Sequence, residues 1–509
     1  MSQTLALTGA DLRLETLRAF DVARPQVALA PRAREAMQTS VDTVRRVIDT
    51  DQVCYGINTG FGALARQRIT RDRLTQLQYN LVRSHACGVG QPLPASVVRR
   101  ILLLKANSLA VGCSGIRPEV VDALLALLNH DVLPLIPAKG SVGASGDLAP
   151  LAHMSLALIG EGEAHHQGKL LQGEAVLKAA GVKPVELQAK EGLALLNGTQ
   201  VSAALAIEGF FGTRTALLSS IVLGALTVEA MAGSYSPFDA RIHGVRNMYG
   251  QIQTAELFRA LLTGSDIWRE HQGCDRVQDP YALRCMPQVY GAVWDTLQHV
   301  SGVLERELNS VSDNPLIFGD DVLSGGNFHA EALAFVSDFL SIAATEMGNI
   351  AERRIDLLLK KINPRLSMFL AKDPGLESGF MIAHVTAAAL ASENKTLAHP
   401  ASVDTIPTSA GQEDHVSMAP WAGVKLGLIL DNLFHILAIE ALASAEAIDA
   451  MRPLKTTAQL EPVQTAIRRA APAAKGDRRL DGDITKLALV LSGGGLLAEV
   501  SGAFPTPSL

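Results

Sequence analysis

Residues 140–147 read Gly140-Ser141-Val142-Gly143-Ala144-Ser145-Gly146-Asp147, and three small residues in succession, Ala144, Ser145 and Gly146, can react with their own backbone. In a tight bend the amide nitrogen of Gly146 reaches the carbonyl carbon of Ala144. Loss of two waters then closes a five-membered ring and turns Ser145 into an exocyclic methylidene. The product is an electrophile, which none of the twenty ordinary side chains supplies. Each residue type suits the reaction: Gly146 tolerates the bend and leaves its nitrogen uncrowded, Ala144 keeps the attacked carbonyl open, and Ser145 carries the hydroxyl that is eliminated. The octapeptide also reads as a plain helix-entry turn or as a phosphate cradle. A Walker A loop is excluded because no Gly-Lys-Ser/Thr follows, and a nucleophile elbow because Asp147 stands where the second glycine of Gly-x-Ser-x-Gly is needed.

The string runs on as Leu148-Ala-Pro-Leu-Ala-His-Met154, and further blocks accompany it in order. They are Tyr55-Gly-Ile-Asn-Thr-Gly-Phe-Gly62, Ser84-His85, Leu196-Asn197-Gly-Thr-Gln200, Gln278-Asp-Pro-Tyr-Ala-Leu-Arg-Cys285, Ser312-Asp-Asn-Pro315, Gly325-Gly-Asn-Phe328 and Gln412-Glu-Asp-His415. Over nearly the whole chain this set resembles the aromatic amino acid ammonia-lyases, whose prosthetic group is 4-methylidene-imidazol-5-one (MIO), the ring described above. The resemblance implies an MIO formed autocatalytically from Ala144, Ser145 and Gly146, no external cofactor, and a homotetramer in which loops of different subunits build each site.

Eliminating ammonia from an α-amino acid breaks a C–N bond and removes a weakly acidic β-proton. A covalent electrophile helps by making ammonia a better leaving group, whether the substrate amine or its aromatic ring adds to it. A base and a carboxylate anchor are then required. By resemblance Tyr55 is the base, with Tyr281 a second hydroxyl near the reacting centre. Asn197 and Gln278 hydrogen-bond the MIO or the substrate, Arg284 grips the carboxylate in bidentate fashion, and Phe328 packs near the ring. Read singly, Tyr55 would be a surface aromatic and Arg284 a surface ion pair; membership of a matching block is what changes both readings.

His85 and Glu413 bear on the substrate. An imidazole presents two nitrogens, so a histidine on one side and a carboxylate on the other can hydrogen-bond both, whereas a phenyl ring would leave each buried group unsatisfied at about 1–3 kcal/mol. The Gln412–His415 block, with Ser378-Gly-Phe-Met381 contributing Met381 as a substrate contact, resembles the histidine-specific branch of the family. The implied reaction is L-histidine to trans-urocanate and ammonia. Two positions depart from that branch, Gly411 where asparagine is common and His384 where glutamine is common. Glu413 also reads as a base, or as half of a buried ion pair. A tyrosine or phenylalanine lyase or aminomutase, and a non-catalytic helical oligomer, stand as alternatives; Glu413 argues against the first, the intact Ala144-Ser145-Gly146 against the second.

Such groups need a rigid frame. Of the 509 residues 48% are hydrophobic but only 5% aromatic, and alanine and leucine dominate, which favours packed helices over sheets. The expected fold is mainly α: a loop-rich N-terminal region, 1–195, carrying the MIO, then a bundle of long, near-parallel helices with a C-terminal helical extension, 196–509. Pro118 and Glu119 open a helix predicted to end near Asn129, and Asp147 is expected to cap the helix after the octapeptide. Gln167-Gly168 marks a small hairpin within 163–170. Long apolar-periodic stretches cover roughly 198–231, 286–311, 331–361 and 421–451, while 468–475 reads as a connector.

The net charge of -6 gives no basic footprint for nucleic acid or an acidic membrane. Residues 216–233 are apolar enough to reach the lower limit for a membrane span, but Glu229 interrupts them, so a buried helix is the better reading. Asp11, Arg13, Glu15 and Arg18 break up the N-terminal apolar residues, so no signal peptide is read there and a cytoplasmic location is expected. Cys54, Cys87, Cys113, Cys274 and Cys285 form no Cys-x-x-Cys pair and are expected to be reduced and mostly buried. His165-His166, His329 and Asp414-His415 lack a recognised ligand spacing, so no metal is expected.

Overall fold

Helices dominate, as the composition predicts: the computed structural model, which describes residues 4–271, 276–473, 475–500 and 502, carries twenty α-helices and nine strands of two to four residues among them. The chain divides into two compact units. The first comprises Met1–Glu208, Ser301–Asp338 and Pro400–Val424; the second comprises Gly209–Val300, Phe339–His399 and Lys425–Leu509.

All nine strands belong to the first unit. The hairpin Glu163–His166 with Lys169–Gln172 is there, turning at Gln167 and Gly168, whose φ values of 48° and 75° fit the turn that matches strand twist. Helix Pro118–Asn129 starts on its proline as predicted and buries Val121, Leu124, Leu125 and Leu128. Its N-terminus is held by Glu191, which accepts from the Arg117 backbone N–H at 3.1 Å and from Arg117 Nε at 2.7 Å.

Asp147 departs from expectation. The helix that follows it, Ala149–Leu158, has no side-chain cap, and Leu148 before it takes a left-handed φ of 42°. That turn leaves Asp147 fully buried and aimed at a different helix, Gln200–Ala230: its carboxylate accepts from Val201 N at 2.7 Å, Ser202 N at 3.0 Å and Ser202 Oγ at 2.5 Å. The aspartate caps a helix as its type predicts, but one that starts 53 residues downstream.

The other long helices run Met286–Glu307, Glu331–Leu359 and Ala419–Ala450, close to the periodic stretches. Val293, Leu297 and Val300 are buried, as are Leu426, Leu430, Leu433 and Leu437, so the three-and-four spacing faces the interior in both. Gln200–Ala230 and Ala419–Ala450 are long and apolar enough to cross a membrane, but 83% and 78% of their most apolar windows are buried within the fold. In the second unit Arg354 and Glu440, both fully buried, pair at 2.5 and 2.7 Å, and Thr227 donates to the same carboxylate at 2.8 Å.

Two smaller expectations are corrected. Arg468 to Ala470 are the last turn of helix Leu460–Ala470, not a connector, because Val463, Ala466, Ile467 and Ala470 form one buried stripe. Of the four described cysteines only Cys54 is buried; Cys87 is exposed, Cys113 and Cys285 are half-buried, and all four are free. Cys274 lies outside the described residues, as does Ala474 of the expected connector.

Candidate active site

Ala144, Ser145 and Gly146 lie on the wall of a cavity in the first unit or directly behind it. The cavity measures about 960 Å³ and is also lined by Tyr55, His85, Asn197, Phe328 and Glu413. Segments more than 350 residues apart in sequence therefore converge. Helix Leu74–His85 delivers His85 at its last residue, helix Glu191–Leu196 delivers Asn197 at its end, and helix Ala149–Leu158 begins three residues after Gly146. Such helix ends and loops, on a packed frame, are where reactive groups can be aimed.

The backbone holds 144–146 in a bend. Gly146 has φ +74° and pairs with Gly198 in an isolated parallel bridge. A Cβ there would run into the Gly198 backbone, so glycine is required both by φ and by space. The amide of Asp147 donates to the Gly198 carbonyl at 2.7 Å. From the other side Ser417 Oγ donates to the Gly143 carbonyl at 3.0 Å, and Met418 N to the Val142 carbonyl at 2.8 Å. Asn197 Nδ2 donates to the Ser145 carbonyl at 2.7 Å, while its Oδ1 is buried without a partner among the described residues. A bent tripeptide backed by glycine, with an amide already on the central carbonyl and an unused acceptor beside it, fits the ring that Ala144, Ser145 and Gly146 would form.

Glu413 faces Ser145. Its Oε1 accepts from Ser145 Oγ at 2.6 Å, and its Oε2 from Thr408 Oγ1 at 2.5 Å and Ser409 Oγ at 2.9 Å. Burial pushes the carboxyl pKa up, but these three hydroxyls and nearby His85 outweigh it, and the net shift is below the ordinary value. Glu413 is therefore ionised at neutral pH. Burial pushes the His85 imidazole down, against the pull of the Leu81 carbonyl and Glu413, and the net shift is downward. The Leu81 carbonyl lies 2.8 Å from His85 Nδ1 and can only accept, so Nδ1 carries the proton and Nε2 is left as an acceptor.

Tyr55 sits in a turn and its hydroxyl accepts from the Gly62 amide at 3.2 Å. Gly411, one of the departures, has φ +82° and open space around it; asparagine and glycine are the residues that best tolerate such a conformation. His384, the other, bonds Glu352 at 2.7 Å in the second unit.

Four expected site residues do not line this cavity. Gln278, Tyr281, Arg284 and Met381 belong to the second unit. There Tyr281 is 70% exposed, the Arg284 guanidinium stacks over its ring at 5.0 Å, and Arg284 Nε is buried without a partner among the described residues.

Thr408 and Ser409, which hold Glu413, were missed because nothing in their spacing marks them. The convergence of His329, Glu331 and His415, whose ligand atoms lie within 4.8 Å of one another, was missed because it crosses 86 residues of chain. The two histidine rings stack at 5.5 Å, His329 Nε2 lies 3.3 Å from the His415 carbonyl, and Glu331 Oε2 lies 4.0 Å from His329 Nδ1.

A family model for aromatic amino acid lyase matches residues 12–469. The chain belongs to the aromatic amino acid lyase family. It is 52% identical over 498 residues to the histidine ammonia-lyase of Rhodospirillum rubrum, covering 97% of each chain. Among solved structures it resembles histidine ammonia-lyase from Trypanosoma cruzi, with TM-score 0.91, 40% identity and coverage of 99% and 96%. It also resembles tyrosine aminomutase from Streptomyces globisporus, with TM-score 0.93, 35% identity and coverage of 99% and 100%. The aromatic amino acid lyase fold is thus common to enzymes named for different substrates, so the fold by itself does not name the substrate.

Proposed function

We propose that the protein eliminates ammonia non-oxidatively from L-histidine to give trans-urocanate, the first step of histidine degradation, and that it does so as a cytoplasmic homotetramer. The observation that carries the reading is the placement of His85 and Glu413 on the same cavity wall as Ser145. The 52% identity to a histidine ammonia-lyase supports it. When formed, the MIO supplies an electrophilic carbon that makes ammonia a better leaving group. The chain's own residues do the rest. Asn197 holds the Ser145 carbonyl and offers Oδ1 to the substrate or the ring. Tyr55, its phenolic oxygen supported by the Gly62 amide, takes the β-proton, while Glu413 holds the substrate imidazole from the same cavity. Phe328 packs against the substrate ring. In this reading Arg284, Tyr281, Gln278 and Met381 reach the site from a neighbouring subunit, Arg284 to bind the carboxylate.

The test is to incubate purified protein with L-histidine, L-tyrosine and L-phenylalanine and follow the ultraviolet absorbance of each unsaturated acid. Urocanate should form fastest; its absence would overturn the reading. Intact mass should show the chain lighter by two waters, and Ser145→Ala, which has no hydroxyl to lose, should keep them and lose most activity.

A further inference from the structure

Behind the cavity wall lies a charge that the reaction above does not use. Lys105, on helix Ala95–Ala110, follows Ile101-Leu-Leu-Leu104 and is 1% exposed. Its Nζ donates to the Asn197 carbonyl at 2.7 Å and lies 3.5 Å from Gln200 Oε1, and it makes no ion pair among the described residues. Nearby Lys190 is buried too, but Asp313 neutralises it at 2.9 Å. A buried ammonium with no counter-ion in contact costs stability, and an apolar chain of similar length would remove that cost while giving up only the one donor to the Asn197 carbonyl. Burial pushes the Lys105 pKa down to about 8, with Asp313 and Asp147 opposing and Lys190 adding to the shift, so the group is still mostly charged at neutral pH. Stability therefore does not account for a lysine here.

Its contacts do. Asn197 and Gly198 form the strip against which the reactive tripeptide is bent. The Asn197 side chain bonds the Ser145 carbonyl, and the Gly198 backbone pairs with Gly146 and accepts from Asp147 N. Thr199, next along, is fixed by Ser312, whose Oγ accepts from its amide at 3.1 Å. Lys105 grips the other carbonyl of the strip, that of Asn197.

We propose that Lys105 is a positioning residue for ring closure: by holding the Asn197 carbonyl it fixes the Asn197–Gly198 strip and so sets the rate at which Ala144-Ser145-Gly146 loses its two waters. In that closure the Gly146 nitrogen bonds the Ala144 carbonyl carbon. The Ala144 oxygen leaves as water with the amide protons of Ser145 and Gly146, and Ser145 Oγ leaves as water with the Cα proton.

The inference rests on the proposed MIO chemistry, and intact mass separates the two. A wild-type chain that keeps both waters sinks the MIO reading itself. With a dehydrated wild type, the full chain carrying Lys105→Met is expected to unfold within a few degrees of wild type, because the relief of a buried charge offsets the lost donor to the Asn197 carbonyl. The dehydrated fraction at a fixed time after synthesis should nonetheless fall at least tenfold, with kcat falling in proportion and KM of the dehydrated fraction unchanged. Complete dehydration of Lys105→Met, with kcat within twofold of wild type, would overturn the proposal. Should that variant not fold, Lys105→Gln, which keeps a donor without the charge, reads the same quantities. If neither folds, the lysine is structural and the proposal fails.

Discussion

Ser145 Oγ donates to Glu413 Oε1 at 2.6 Å across 268 residues of chain. In the proposed chemistry the hydroxyl that ring closure would expel is thus bonded to the carboxylate that would select the substrate, and dehydration would free Oε1 while Thr408 and Ser409 keep Oε2 fixed. The carboxylate emerges ionised, oriented and short of one donor, which an imidazole N–H supplies. Glu413→Gln should therefore lower kcat/KM for L-histidine by roughly 10²-fold, the scale of losing a charge-assisted hydrogen bond together with its orientation, while slow turnover of L-tyrosine should be little changed. Equal losses on both substrates would instead mark Glu413 as the base.

Gly146→Ala tests the bend. The left-handed conformation costs a residue with Cβ about 1–2 kcal/mol, and overlap with the Gly198 backbone adds to it. The variant should unfold at a lower temperature and keep its two waters by intact mass, with activity lost. A fully dehydrated Gly146→Ala would show that the Gly198 cradle is not required for closure.

Much of this is legible in the amino-acid sequence. Helix Pro118–Asn129, the four long helices and the hairpin at Gln167-Gly168 followed from period and turn chemistry, since each is decided by neighbours in sequence. Tyr55, His85, Asn197, Phe328 and Glu413, which lie in separate blocks of the sequence, line one cavity. The partners of these residues were not legible. Asp147 was assigned to the nearest helix because sequence shows only local caps, whereas the left-handed turn at Leu148 sends it to Gln200–Ala230. Lys105 left a visible mark, a lysine within an apolar helical run, but its contact with Asn197 depends on packing between elements 92 residues apart.

The protonation states in the cavity give a pH dependence with a definite sign. His85 Nε2 and Glu413 both accept, so the best-held ring is one with two N–H groups, an imidazolium. His85 is held below its ordinary value and Glu413 below its own, so both remain acceptors at pH 6.5, where about half of a free imidazole of pKa ~6.5 is protonated. Imidazolepropionate, which lacks the amine and cannot react, should inhibit severalfold more tightly at pH 6.5 than at 8.5. His85→Phe should weaken that difference, and a pH-independent inhibition constant would rule out the paired-acceptor arrangement.

The buried Arg354–Glu440 pair predicts a stability effect independent of the site. Glu440→Gln leaves the fully buried guanidinium of Arg354 without its counter-charge, which should cost on the order of 3–5 kcal/mol. Denaturant unfolding of the two proteins would measure it, and a difference below about 1 kcal/mol would mean that Tyr290, over which Arg354 also stacks at 5.7 Å, carries most of the charge stabilisation.

Tyr55 and Glu413 line the cavity of the first unit, whereas Arg284 belongs to the second and does not line it. Arg284 Nε has no hydrogen-bond partner among the described residues, and a buried guanidinium nitrogen left unpaired is costly unless a carboxylate comes to it. If a neighbouring copy supplies Arg284 to each cavity, two chains that are separately inactive should restore each other. Tyr55→Phe and Arg284→Ala, each expected to be at least 10²-fold slower than wild type, should regain a measurable fraction of wild-type urocanate formation when co-expressed. In the mixed oligomer some cavities combine an intact Tyr55 from one chain with an intact Arg284 from the other. Mixing the two purified variants without exchange of subunits is the control and should give no gain. Co-expressed variants no more active than the sum of the parts would show that Arg284 acts within its own chain.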